Sequence, residues 1–302
     1  MTIRFDGKVA IVTGAGNGLG RSHALQLASL GAKVVVNDLG GNVDGTGGSS
    51  ESAEQVVAEI KAAGGDAIAN GSSVSDVTGV DNLVKQTMEA FGRIDLLVNN
   101  AGILRDKTFA KMSVEDFDIV VDVHLSGAAY VTRAVWPIMQ EQNYGRIVMT
   151  TSGSGLYGNF GQTNYAAAKL GQVGLMNSLK QEGRKYNIKV NTLAPIAATR
   201  MTESLMPPQA LAALKPELVT PAVLFMLSED APTGAIITAG AGFYAAVRTI
   251  EAQGVLIPGE VSADDVAAKW GEISDFDNYV TYESVNDGTG RVFKLLGEAA
   301  KG

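Results

Sequence analysis

The sequence predicts a doubly wound α/β fold, a parallel sheet with helices on both faces, followed by a C-terminal extension. Three observations carry that expectation. Short β-branched runs alternate with longer helical segments from the start of the chain to about residue 193. Those runs are apolar almost throughout, as in strands buried on both faces and joined by right-handed helical crossovers. A glycine-rich turn follows the first run and opens a helix, and such folds hold ligands outside the carboxyl ends of their strands.

Taken in order, residues 8–13 (KVAIVT), 33–37 (KVVVN), 94–98 (IDLLV), 146–150 (RIVMT) and 188–193 (IKVNTL) read as buried strands, with a last one near 235–238. Residues near 18–30, 51–63, 76–91, 114–140 and 164–186 have helical spacing or composition between them. Two regions break the rhythm. Residues 40–50 form a glycine-rich insertion between the second strand and its helix. From about residue 245 the chain continues past the last strand, with helical character at 261–270 and 291–299 around an apolar stretch at 276–282. The division is therefore a main domain at 1–244 and an extension at 245–302. That extension is too short to bury much core alone, so it is expected to pack on the main domain or on a partner subunit.

Composition narrows the function. Hydrophobic residues make up 46% and charged residues 19%, enough for a sizeable core. A net charge of −8 argues against nucleic acid, whose phosphates need a basic surface. With no cysteine and only His23 and His124, a thiolate or histidine metal site is not expected. The N-terminus lacks a signal-like apolar run and no stretch is long enough to span a bilayer. The last three residues are not a peroxisomal address. A cytoplasmic protein without membrane contact is the expectation.

Thr13-Gly14-Ala15-Gly16-Asn17-Gly18-Leu19-Gly20 supplies the turn. Its glycines allow the backbone to approach a pyrophosphate, and the positive end of the helix then faces the anion. Glycine-rich turns also serve packing alone, so the order of strand, turn, helix and a following acid is what gives the motif weight. Asp38 is that acid, placed to accept from ribose hydroxyls and to repel a 2′-phosphate. With no arginine or lysine beside it, NAD is expected over NADP; a turn aspartate is the plainer alternative.

Tyr165 and Lys169 are four apart on a helix and share a face. An ammonium beside a phenol favours the phenolate and is expected to lower its pKa. Ser152 lies thirteen residues upstream at a strand end, where its hydroxyl could donate to a carbonyl oxygen.

These residues, with Asn99-Asn100-Ala101-Gly102, resemble the short-chain dehydrogenase/reductase superfamily over about residues 5–240. The resemblance implies a Rossmann-type domain in which Tyr165 is the general acid/base and Ser152 polarises the carbonyl. Lys169 also holds the nicotinamide ribose, and Asn100, Ala101 and Gly102 lie beside the cofactor. Ser73, Val74, Pro195 and Thr199 complete the expected cofactor contacts, although Ile196 stands where the family keeps a glycine. Many members place an asparagine on the fourth helix to hold a relay water. His124 occupies that position here, and could hold the water, pass the proton, or contribute its backbone alone.

A narrower resemblance is to the (3R)-hydroxyacyl-CoA dehydrogenase units of type 2 peroxisomal multifunctional enzymes, a group also called 17β-hydroxysteroid dehydrogenase type 4. It rests on 36–41 (VNDLGG), 100–106 (NAGILRD), His124 in VHLSG, 157–162 (YGNFGQ), 182–185 (EGRK) and the tail stretches 239–243 and 270–276. It implies oxidation of a (3R)-3-hydroxyacyl-CoA to the 3-ketoacyl-CoA, in fatty-acyl or steroid side-chain β-oxidation, by a stand-alone enzyme. An acyl-CoA is the expected partner. Met201, Leu205 and Met206 would line an adaptable apolar wall, Tyr157 would touch substrate, and Arg105 with Lys107 would meet CoA phosphates. Methionines so spaced are as often core, and loop cations are usually solvated. The alternatives are an NAD-dependent 17β-hydroxysteroid or other bulky-alcohol dehydrogenase and, remotely, a non-catalytic NAD sensor. The resemblance also implies a homodimer or homotetramer through the helices at 114–140 and 164–186.

Overall fold

The apolar runs form strands in parallel register. In the computed structural model, which describes residues 2–197 and 213–299, β1 (Val9–Thr13) lies between β2 (Lys33–Asn37) and β4 (Leu96–Asn99), with Val12 opposite both Val36 and Val98. β3 (Asp66–Asn70) pairs with β2 at the edge of the sheet. On the other side follow β5 (Gly145–Thr150), β6 (Ile188–Pro195) and β7 (Ile236–Gly240), all parallel. β8 (Phe243–Val247) joins β7 through Ala241 and Gly242, both at positive φ, the two-residue turn that matches hairpin twist. The order β3-β2-β1-β4-β5-β6-β7-β8 reverses direction between β1 and β4. A crevice opens at that point above the carboxyl ends.

The helices cover both faces: α1 (Gly18–Ser29), α2 (Glu51–Ala62), α3 (Val77–Phe91), α4 (Val114–Val121), α5 (Gly127–Gln142), the short α6 (Gly153–Tyr157), α7 (Thr163–Gly183) and α8 (Thr220–Leu227). Ala10, Val12, Val34, Val36, Leu96 and Val98 are fully buried in one core with Leu27, Ile60 and Val223, each large side chain stabilising by about 1.5–3 kcal/mol. Asp76 and Ser113 cap α3 and α4 through backbone N–H groups.

Two differences from the sequence reading matter. β3 was not expected: DAIAN has alanines where strands usually carry β-branched residues, and pairing with β2 overrides its weak propensity. The single helix expected over 114–140 is instead α4, a π-helical turn at Asp122–Ser126, and α5.

The chain divides into two compact units, Met1–Ala246 and Val247–Gly302. The second unit holds the antiparallel pair β9 (Glu251–Ala252) and β10 (Tyr279–Val280), with α9 (Ala263–Ala268), α10 (Trp270–Ile273) and α11 (Val285–Ala299). Ser262 and Asp265 form a capping box on α9, and Tyr282 Oη donates to Glu251. α11 begins six residues before the expected 291. Among the described residues no helix is long and apolar enough to cross a membrane, and no group of three or more metal-ligating side chains occurs.

Candidate active site

A cleft of about 550 Å³ lies over the β1–β4 crevice. Its floor is the glycine turn. Gly14 sits at φ +62°, where a Cβ would stand 2.8 Å from Ala101 Cα. No larger residue fits between the turn and the 99–102 segment. That segment is bolted to β1: Asn100 Nδ2 donates to the carbonyls of Thr13 and Gly14 at 3.0 Å, and the Asn100 and Ala101 N–H groups donate to Thr13 Oγ1. Asn17 caps α1 without a side-chain hydrogen bond. The N–H groups of Gly18, Leu19 and Gly20 head the helix with no intrahelical acceptor by position, as an anion cradle requires.

Asp38 follows β2 directly and lines the cleft. Its two oxygens accept from Gly16 N and Gly40 N, both at 2.7 Å. The turn role and the ligand role are compatible, because each carboxylate oxygen keeps a further lone pair.

At the other end α7 carries Tyr165 and Lys169. Asn164, fully buried, donates to the Arg105 and Asp116 carbonyls at 3.1 and 3.0 Å and accepts from Tyr165 N at 2.8 Å. This fixes where Tyr165 enters the helix. Ser152 lies two residues beyond β5 and caps α6, accepting from Ser154 N at 3.1 Å. The Tyr165 and Ser152 side chains both line the cleft. Lys169, 2% exposed, directs Nζ to Thr150 O at 2.5 Å and lies 5.5 Å from the Tyr165 ring centroid.

Electrostatics here depart from the sequence expectation. Burial raises the Tyr165 pKa above the usual phenol value; the nearby Ser152 hydroxyl lowers it in part, and the charge of Asp106 raises it. Burial brings Lys169 down to about 7. The lysine is sunk beneath the sheet ends with its donor on a carbonyl, so desolvation outweighs any attraction between ammonium and phenolate.

His124 sits on the π-helical turn, 2% exposed, its ring edge-on to Tyr165 at 5.0 Å. Gly102 makes room for it, since a Cβ there would stand 2.2 Å from His124 Cε1. Nε2 lies 2.8 Å from Ile103 O and 3.0 Å from Ile103 N, while the buried Nδ1 has no partner. The backbone carbonyl is engaged by Gln172 Nε2 at 2.6 Å. Burial and then the charge of Lys169 hold the ring well below the usual imidazole range, so it is neutral.

Gly14, Asn17, Gly18, Leu19, Asp38, Ser73, Val74, Asn100, Ala101, Gly102, His124, Ser152, Tyr165, Lys169 and Pro195 all line this cleft. Gly20 lies beneath it, where a Cβ would stand 2.1 Å from Gly14 O. Two expected substrate contacts, Tyr157 and Arg105, are not among the residues lining the cleft. Tyr157 is 73% exposed at the end of α6 and does not line the cleft. Arg105 pairs with Asp116 at 3.1 Å, and Lys107 pairs with the same carboxylate at 2.6 Å. Thr199, Met201, Leu205 and Met206 fall outside the described residues. Sequence reasoning missed two groups of lining residues. One is Leu39, Asn42, Val43 and Gly45 around the insertion, which offered only glycine content. The other is Ser154, Asn159 and Gln162, joined by hydrogen bonds to Gln162 Oε1, with Gln162 Nε2 on Asp106 at 2.6 Å. The polar run just before Tyr165 was the available signal for it.

Comparison with known proteins gives a consistent picture. The family model described as short chain dehydrogenase matches residues 8–210. Peroxisomal multifunctional enzyme A of Dictyostelium discoideum is 50% identical over 279 residues, covering 92% of this chain and 62% of its own length. A peroxisomal hydratase-dehydrogenase-epimerase of Neurospora crassa is 48% identical over 280 residues, 91% of this chain and 31% of its own length. The chain therefore spans less than two thirds of these relatives. Among solved structures, full-length peroxisomal multifunctional enzyme type 2 from Drosophila melanogaster matches with TM-score 0.83 at 36% identity, over 98% of this chain and 50% of that one. A 7α-hydroxysteroid dehydrogenase complexed with NADH and 7-oxo glycochenodeoxycholic acid matches with TM-score 0.72 at 30% identity, over 80% of this chain and 95% of that one.

Proposed function

The chain belongs to the short-chain dehydrogenase family, an oxidoreductase acting on CH–OH groups, and from that premise we propose that it oxidises (3R)-3-hydroxyacyl-CoA to 3-ketoacyl-CoA with NAD. The observation that carries the chemistry is that Ser152, Tyr165 and Lys169 line one cleft together with the glycine turn. The substrate class is supported by the relatives' names, multifunctional enzyme and hydratase-dehydrogenase-epimerase.

A dinucleotide fits the residues present. Gly14, the α1 N-terminal residues Asn17 to Leu19 and Asp38 all line the cleft. Asp38 would hold the adenosine ribose and favour NAD, while Asn100 to Gly102, Lys169 and Pro195 would hold the nicotinamide half. Bound NAD supplies the hydride acceptor. Tyr165 first gives up its own proton to solvent water, and the resulting phenolate takes the hydroxyl proton as the carbinol C–H hydride leaves, so proton and hydride depart to different acceptors. Ser152 keeps hold of the substrate oxygen throughout. General-base assistance of this kind contributes about 10²–10⁴-fold. The unpartnered His124 Nδ1 extends the proposal: with Nε2–H on Ile103 O it presents a lone pair beside Tyr165, able to hold a relay water. A homodimer or homotetramer in the cytoplasm completes the reading.

A second substrate class has a specific observation behind it, the likeness to a hydroxysteroid dehydrogenase. One assay separates the two. NADH formation is followed with (3R)- and (3S)-3-hydroxyacyl-CoA and with 17β-hydroxysteroids. The proposal expects turnover of the 3R thioester alone or far above the others; steroid turnover with silent thioesters would reverse it.

A further inference from the structure

The 40–50 insertion carries no chemistry of its own, yet it lines the cleft and is pinned to the loop after β4 at three points. Leu104 N donates to Val43 O at 2.9 Å. Gly45 packs on Ile103 so tightly that a Cβ would stand 3.1 Å from Ile103 Cδ1. Arg105 Nε donates to Asp44 O at 2.9 Å. The same guanidinium has a second anchor on α4, Nη1 to Asp116 Oδ1 at 3.1 Å, and Asp116 is 7% exposed. The Arg105 carbonyl in turn accepts from Asn164, the residue that seats Tyr165.

We propose that Arg105 is a positioning residue that latches the 40–50 insertion as a wall of the dinucleotide cleft and ties that wall to the helix bearing Tyr165. The proposal rests on the cleft being the dinucleotide site. A guanidinium suits the task because its fixed fork of donors serves a carbonyl and a carboxylate at once. An ammonium is a point charge and serves the carboxylate better than the pair. Val43 and Gly45 face the cleft, so losing the latch loosens a wall that Arg105 itself does not line. The cost falls on cofactor affinity before it falls on the chemical step.

The test uses the full chain and two readouts. NADH binding without substrate is titrated by fluorescence, and hydrogen exchange at the Leu104 amide is measured without nucleotide. Arg105→Ala is expected to weaken NADH binding about five- to twentyfold, and to speed Leu104 exchange about tenfold. KM for NAD should rise by a larger factor than kcat falls. Arg105→Lys keeps the Asp116 ion pair and hence the fold, and should give intermediate values. Wild-type NADH affinity with unchanged exchange in both variants overturns the latch alone. So does a rise in KM for a CoA thioester, but not for a shortened pantetheine thioester, at unchanged NADH affinity. A wild-type chain that binds no NADH overturns the latch and the functional reading together.

Discussion

Lys169 shows how far a side chain's chemistry depends on depth. Its position four residues after Tyr165 was readable from spacing, and both residues line the cleft. What spacing could not give was the direction of the electrostatics, because desolvation depends on the sheet ends above the lysine. With Lys169 brought down to about 7 by burial against an ordinary lysine value in the unfolded chain, the unfolded state binds more protons between those two values. Stability contributed by this group therefore rises with pH across that window and is lowest below it. Lys169→Met removes the titration. The difference in Tm between variant and wild type is expected to change steadily in the wild type's favour from about pH 7 to pH 10. A difference flat across that range would show that the lysine titrates near its ordinary value.

At the scale of elements, most of the sheet was legible because buried parallel strands write themselves as apolar runs. All six expected strands form within two residues of their expected ends. β3 escaped because alanine carries little strand signal, and α6 because five residues hold barely one turn. The π-helical turn escaped for a different reason: an extra residue in a helix leaves the apolar spacing almost intact while re-aiming one side chain. Here that side chain is His124, turned inward against Gly102 and Tyr165. His124→Ala is expected to lower kcat about tenfold or more and to alter the pH profile of oxidation, with NADH affinity changed less. Near-normal turnover with an unchanged profile would reduce the histidine to a packing role. The insertion is the clearest case of an element noticed but not understood. Its glycines signalled a loop, and only the coordinates show Val43, Asp44 and Gly45 docked on residues 103–105.

The molecule as a whole gathers the glycine turn after β1 and the side chains of Ser152, Tyr165 and Lys169 into one cleft. The strand order that creates the crevice and the helix that carries Tyr165 belong to the same unit, Met1–Ala246. Nothing from the extension is needed to assemble the reacting groups described. The most direct measurement is a single turnover of Tyr165→Phe with NAD and (3R)-3-hydroxyacyl-CoA, run beside an NADH titration of the same protein. The variant should bind NADH as the wild type does while the rate of NADH formation falls about 10²–10⁴-fold. Undiminished turnover would contradict the assignment of Tyr165 as the proton acceptor.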